Sequence, residues 1–488
     1  MSKSRALLFV ALTLAVTTPS IQSQTRPRLA DYFTEIPVTV IDADYAPKSI
    51  RSPMTADLNG DGNQDLIVIG VDYAGGGRNC CSPGTPQPGR VYLGDGAGHF
   101  TPAPTALFPI DTLKTVFTEG LLFADFNGDA RTDMFIPGHG WDADPFPGEQ
   151  NRLYLSVPGG GWTDATDTLP QLSDMSVASA AGDISGRGAL DIFVANGGAG
   201  QAHIGAYTLL NTGSGQFTQT FSNIPVVSTA AVRTPCGNPG QPRCRLLDSS
   251  IQGATLADLN DDGLPELIVT GRTLNGDIHT ETILWNRDGV FTDTDTTALP
   301  DPAIFPTRFD WNVKRIDVNL DGLQDLVLVG TQQNYAGWFV QILVNRGDRQ
   351  FVDETAERVP AGQGSGGGDG PPASVYPANV QVLDFNQDGA PDFAVEFITG
   401  STPLTQSQPL IWINDGTGHF STLTVGDFVT AGRENVLATA HLVATRNGYS
   451  FITPRWTGSG GLKLTGVLAT KPYRVTTRTS ATHHDGFR

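Results

Sequence analysis

The string DLNGDGNQD, residues 57–65, places carboxylates at its first, fifth and ninth positions and an asparagine at its third. Four further copies keep that frame: DFNGDARTD (125–133), DLNDDGLPE (258–266), DVNLDGLQD (317–325) and DFNQDGAPD (384–392). A sixth, DISGRGALD (183–191), keeps the spacing but carries Ser185 and Arg187 at the third and fifth positions. Acids crowded in this way repel one another unless a hard cation sits among them. Calcium is the expected ion, because it gathers roughly six to eight oxygens from carboxylates, amides and backbone carbonyls.

The spacing defines the ligands. Side chains at positions 1, 3 and 5 of a tight loop converge, a glycine at position 6 supplies the turn, and the carbonyl of position 7 points inward. The expected sets are Asp57, Asn59, Asp61, Asn63 and Asp65; Asp125, Asn127, Asp129, Arg131 and Asp133; and Asp258, Asn260, Asp262, Leu264 and Glu266. Two more are Asp317, Asn319, Asp321, Leu323 and Asp325, and Asp384, Asn386, Asp388, Ala390 and Asp392. In each, the seventh residue contributes its carbonyl. Ala130 occupies the glycine position of the second copy, which predicts a strained turn but no lost ligand. In the 183–191 copy, Arg187 stands where a ligand is needed, so the expectation is an internal ion pair with Asp183 and Asp191 in place of a metal. The competing explanation is a set of metal-free turns, since Asp, Asn and Gly also build ordinary Asx turns.

These loops are not EF-hands. The closing acid arrives at position 9 rather than 12, and the flanks LIVIG, LIVTG, LVLVG and FAVEF are apolar, β-rich strand sequences with no amphipathic helix. A second signature follows each loop: VYLGDGAGHF, LLNTGSGQF, ILWNRDGVF, ILVNRGDRQF, IWINDGTGHF and, more loosely, LYLSVPGGGW. A strand, a Gly/Asn/Asp turn and an aromatic opening another strand is the pattern of a β-hairpin. Each unit of about 65 residues therefore holds four short antiparallel strands, and such units repeated around an axis make a β-propeller.

Six units carry the loop. A seventh, without one, is expected from the strand candidates VLATAHLVA, YSFITPRW and GLKLTGVLA, completed by the N-terminal DYFTEIPVTVID. That closure removes the open sheet edges that invite aggregation. The fold class is thus all-β, a seven-bladed propeller over residues 30–470 with a tail at 471–488; six blades and an unrelated C-terminal segment is the alternative.

The paired signatures resemble the FG-GAP/VCBS repeats of integrin α-chain propellers and of many bacterial secreted proteins. The resemblance implies seven blades with calcium in the loop joining the first two strands of a blade. It implies no single activity, because function on such a fold lives in grafted loops.

The first residues place Lys3 and Arg5 before an apolar run at 6–16 and small polar residues to 23, the layout of a secretory signal peptide over 1–23. Export to the periplasm or the exterior, without membrane insertion, is the expected destination. The net charge of −19 argues against nucleic acid or an anionic membrane as partner. Five calcium ions would bring that charge to about −9. The four cysteines suit an oxidising compartment; Cys236 and Cys244 bracket CGNPGQPRC and are expected to close it, while Cys80 and Cys81 are adjacent and their pairing stays open.

In an antiparallel meander the calcium loops and the short hairpins leave on one face. The long insertions, 72–90, 137–151, 228–250 and 360–377, leave on the other. Elaborated loops on a rigid scaffold are where recognition usually resides. Tyr73, His139, Trp141 and Phe146 are the candidate ligand-binding residues, with Trp141 expected to be an exposed aromatic that stacks on a sugar or anchors a protein. The functional expectation is a monomeric binding or adhesion module for protein or glycan, with calcium structural. The rival is a polysaccharide lyase or hydrolase using His139, Asp142, Asp144 and Glu149, although no catalytic motif such as HExxH or a nucleophile elbow is present. The Arg346-Gly347-Asp348 tripeptide lies in a repeat hairpin, and the glycine run 364–370 lacks the Lys-Ser/Thr ending of a phosphate loop.

Overall fold

A computed structural model describes residues 29–474 apart from 52, 73–83, 109–112, 142–146, 197–204, 226–250, 272–280, 303–307, 333–335, 367–374, 400–402 and 457–459. The signal-peptide reading, both cysteine readings, Tyr73 and Phe146 lie outside the described residues.

Each apolar run that follows an acidic loop is a fully or almost fully buried strand, as in Asp65–Val71 and Glu266–Gly271. A run buried on both faces must be covered by a sheet on either side, and that demand sets the architecture. Seven antiparallel blade sheets result among the described residues. Blade three is representative: Ser176–Gly182, Asp191–Asn196, Tyr207–Asn211 and Phe217–Thr220 pair in chain order. Blades two, four, five and six repeat that order, beginning at Leu122–Ala124, Ile251–Ala257, Arg308–Ile316 and Tyr376–Leu383. In blade one the inner edge is shared by Ser49–Ile50 and Met54–Ala56.

Blade seven is His441–Thr445, Gly448–Arg455 and Leu462–Ala469, and its fourth strand is the N-terminal Phe33–Asp42. The register runs from Phe33 opposite Ala469 to Asp42 opposite Leu462. The expected seven-bladed ring is therefore present, closed by the expected strand.

Packing between sheets confirms the ring. Separate apolar clusters join blade one to two (Ile67 with Met134 and Tyr154), two to three (Phe135 with Ile192) and three to four (Phe193 with Leu267). Others join four to five (Ile268 with Leu326), five through six to seven (Val327, Phe393, Phe451) and seven back to one (Ile452 with Leu66 and Tyr92). Each sheet thus buries both faces against its neighbours, and the first strand of every blade lines the central channel.

Phe33 anchors the closing strand. It is buried, lies parallel to Phe385 with ring centres 6.1 Å apart, and meets Phe428 edge-on at 5.2 Å. By contrast Val38, on the same strand, is 60% exposed. Phe33→Ala is expected to cost about 3 kcal/mol of stability and Val38→Ala less than about 0.5 kcal/mol, read as the shift in denaturant midpoint; equal shifts would refute the closure described here.

Candidate metal centres and the insertion face

The six loops share one hydrogen-bonding scheme. The position 1 carboxylate faces a row of backbone donors: Asp57 accepts from the N–H groups of Gly60 (2.8 Å), Asp61 (3.1 Å) and Gly62 (2.9 Å). Asp125, Asp258, Asp317 and Asp384 accept from the equivalent position 5 and position 6 amides. Position 5 is held likewise, Asp61 accepting from Asn63 N–H and Asp321 from Leu323 N–H. The third-position amide of Asn59 donates to Asp61, and its carbonyl oxygen accepts from the Asp61 N–H. Loop turns follow the expected conformation, with φ of 85°, 90°, 91° and 91° at Gly62, Gly263, Gly322 and Gly389. Ala130 adopts φ 63° in the same place and carries the expected strain.

Position 9 behaves differently. Asp65, Asp133, Asp191, Glu266, Asp325 and Asp392 are all completely buried. One oxygen of Asp65 accepts from Leu58 N–H (2.9 Å) at position 2 of its own loop, and the other from Gly94 N–H (2.9 Å) at the end of the third strand. The pattern recurs with Phe126 and Ser156 on Asp133, Val318 and Asn345 on Asp325, and Phe385 and Asn414 on Asp392. Each ninth-position aspartate therefore ties its loop to the hairpin of its blade, whatever else it holds.

A further set of residues escaped the reading of the sequence. Asn211, Asn345 and Asn414 end the third strand of blades three, five and six, Asn286 lies two residues past that of blade four, and their side-chain amides donate in two directions. One bond goes to the carbonyl before position 9 in the same blade. The other reaches position 2 of the preceding blade: Phe126, Ile184, Leu259 and Val318 respectively. The LLN, LWN, LVN and WIN signatures contained these asparagines, which looked like turn formers only. In blade one, Gly94 takes the place because any Cβ would overlap the Gln64 carbonyl oxygen.

Electrostatics suit a cation. Burial pushes Asp65 and Asp325 up to about 6, and Glu266 and Asp392 up to about 7, with the acids at position 5 adding to the rise in each. Asp133 is raised for the same reasons. Among the described residues no three acid, histidine or cysteine side chains converge as a metal set; asparagine and carbonyl oxygens must complete each one. Glu266 supplies a direct test of fit. Its longer side chain accepts from Leu259 N–H (2.7 Å) through one oxygen, while Oε1 is buried without a hydrogen bond. An oxygen-seeking cation would satisfy that atom, and the donor sets fit one.

The 183–191 loop carries its own cation. Arg187 Nη2 lies 3.6 Å from Asp191, its Nε donates to Ser185 Oγ at 2.7 Å, and its backbone N–H donates to Asp183 at 2.9 Å. Burial still raises Asp191, but here Arg187 opposes the rise where a neighbouring acid adds to it elsewhere. Replacing this guanidinium, Arg187→Asp, should add one calcium per chain in equilibrium dialysis; unchanged uptake would contradict that reading of the loop.

The insertion face corrects one expectation. Trp141 is only 8% exposed: a Cβ built on Gly84 would lie 2.6 Å from its ring, which places the indole beneath the blade-one insertion rather than in solvent. Aromatic residues in loops fill gaps between loops as readily as they face ligands, and the sequence held no sign of the covering segment. His139 is also buried, edge-on to Phe117 at 5.0 Å, while Arg51 covers Phe117 at 4.8 Å. Glu149 points inward, accepting from Thr115 Oγ1 (2.7 Å) and Val116 N–H (2.8 Å), and burial raises it. Arg346 is paired with Glu354 and Gly347 N–H with Asn345, so the tripeptide is part of its hairpin. Of the glycine run, Ser365–Gly366 adds a short edge strand beside Trp338 and Phe339.

One family model matches at the repeat positions. The FG-GAP-like repeat model matches residues 57–136 and 317–395, each match opening at position 1 of a loop and ending in the second strand of the next blade. No curated protein sequence matches the chain. Similar solved structures include a rhamnogalacturonan lyase of Bacillus licheniformis, with 11% identity, TM-score 0.41, and coverage of 90% of this chain and 76% of that one. The V. cholerae biofilm matrix protein Bap1 shows 12% identity, TM-score 0.34, and coverage of 90% and 93%. The fucose-specific lectin of Aleuria aurantia shows 12% identity, TM-score 0.34, and coverage of 73% and 96%. Likeness at this level does not extend to what those proteins bind or act on.

Proposed function

We propose that this propeller of FG-GAP-like repeats is an exported, calcium-stabilised module that binds a protein or a glycan through its insertion face. The observation that carries the reading is the division of labour between the two faces. One face repeats a single acid-rich loop of fixed length, which suits a structural ion at each of the five full copies. The strand order directs the connections between second and third strands and between blades to the opposite face, and among the described residues the ribbon of Glu149–Gln150 against Ser173–Asp174 holds part of one such connection in place. A scaffold that spends its repeats on rigidity and its irregularity on one face is built for recognition.

In this reading calcium holds loops and does no chemistry. Its expected ligands are the oxygens of positions 1, 3 and 5, the position 7 carbonyl and the free lone pairs of position 9. Ion binding then becomes folding energy, because the empty loop keeps its mutually repelling acids. The enzyme alternative draws no support from the inward-facing His139 and Glu149, which make no contact with each other among the described residues.

The test is a glycan array and a cell-surface pull-down with the full chain, run in calcium and in chelator. Saturable binding in calcium that is lost in chelator, without release of reducing ends or unsaturated products, is the expected outcome. Turnover of a bound polysaccharide would overturn it.

A further inference from the structure

The seam between blades one and two lacks the amide that crosses the next four. Ser156 holds the place of the latching asparagines. It is paired with Trp162 across its hairpin as Asn211, Asn345 and Asn414 are with Phe217, Phe351 and Phe420, and its N–H donates to Asp133 as theirs do to their ninth-position acids. Its side chain is too short to cross the seam. The hydroxyl turns back to Asp133 at 2.9 Å, and the Leu58 carbonyl, at position 2 of the blade-one loop, receives no hydrogen bond among the described residues.

A cavity of about 70 Å³ lies at this place, and Leu58, Thr132 and Ser156, the residues such an amide would join, all line it. A single water needs roughly 10–15 Å³ on this scale, so a group of several heavy atoms fits. The Thr132 carbonyl, just before position 9, takes only a long bond of 3.4 Å from Trp162 Nε1. Gly160 forms the far wall, where an added Cβ would lie 3.7 Å from that of Asn59. Gly60, Ala130 and Arg131 are exposed, so the cavity opens on the acid-loop face. The hairpin has changed together with the latch. In blades three, five and six the asparagine Oδ1 accepts from the N–H two residues on, that of Gly213, Gly347 or Gly416. Blade two has Pro158 there, which has no N–H to offer. Arg131 supplies donors instead: it lines the cavity and approaches Asp129 at 3.5 Å without a side-chain hydrogen bond among the described residues.

Two carbonyls that one NH2 group bridges at the other seams, with a guanidinium beside them, select a primary carboxamide. An ammonium would be repelled by Arg131, and a carboxylate has no proton for either carbonyl. We propose that the cavity between blades one and two binds a primary carboxamide. Its NH2 group donates to the carbonyls of Leu58 and Thr132, and its oxygen accepts from Arg131. The ligand thereby makes from outside the link that asparagine makes from within at the next four seams. This site lies opposite the insertion face, and it stands even where no glycan or cell surface is bound there.

Ligand-observed NMR titration of the full chain in fixed calcium, with acetamide as probe, tests the proposal. Saturable binding is expected, at least tenfold tighter than that of acetone or acetate, which share its shape and lack its N–H groups. Ser156→Asn supplies the amide internally, so it should weaken acetamide tenfold or more while raising the denaturant midpoint, a change that cannot be mistaken for misfolding. A tripeptide with glutamine between two glycines distinguishes the source. Binding at least as tight as that of acetamide, lost in Ser156→Asn, supports the proposal with the amide on a partner's side chain; acetamide binding alone supports it with a small molecule as ligand. Absence of saturation, acetone or acetate binding as tightly as acetamide, or undiminished acetamide affinity in folded Ser156→Asn would each overturn it.

Discussion

A fully buried carboxylate at the ninth position of each loop is the interaction on which the ring depends. An ionised acid without partners inside a protein costs several kcal/mol. Here two backbone N–H groups, one from the loop and one from the end of the third strand, face the two oxygens of Asp65, Asp133, Asp325 and Asp392. Charge-assisted bonds of this kind contribute about 1.5–3 kcal/mol each, so they offset part of a burial that still raises each acid, while fixing where the loop meets the hairpin. Asp191 likewise accepts from a loop N–H, here that of Ser185 at position 3, and from Asn211 N–H at the end of the third strand, in the loop that carries Arg187. The contact therefore does not need a metal to exist.

From that contact the rest of the ring follows. The residue that donates its N–H to position 9 is, in blades three, five and six, an asparagine whose amide also reaches the loop of the blade before. Sheet-to-sheet packing is apolar and non-directional, so it holds blades together without setting their rotation. The asparagine bonds supply the direction. A cation in the outer half of the same loop would then steady both the loop's own blade and, through position 2, the asparagine of the next.

Much of this was legible because it repeats. Five acid loops in one frame, six hairpins and the apolar runs between them require four-stranded units, and the match of DYFTEIPVTVID to a fourth strand anticipated Phe33–Asp42. What failed was local. Trp141 is one aromatic in one loop, and its burial depends on Gly84, more than fifty residues earlier. The asparagines were visible, but a turn-forming Asn and a latch between blades are the same letter in a sequence. Glu396 and His441 come from two blades and follow no period, so only the closed ring reveals that they meet.

The most direct measurement is chemical denaturation, in chelator, of the Asp325→Asn and Asp317→Asn proteins beside the unaltered chain. Asparagine at 325 sets an N–H against one of two N–H donors, so a loss of about 2–3 kcal/mol is predicted there, with a much smaller loss at half-buried position 317. An Asp325→Asn protein that unfolds with the unaltered chain would contradict the account.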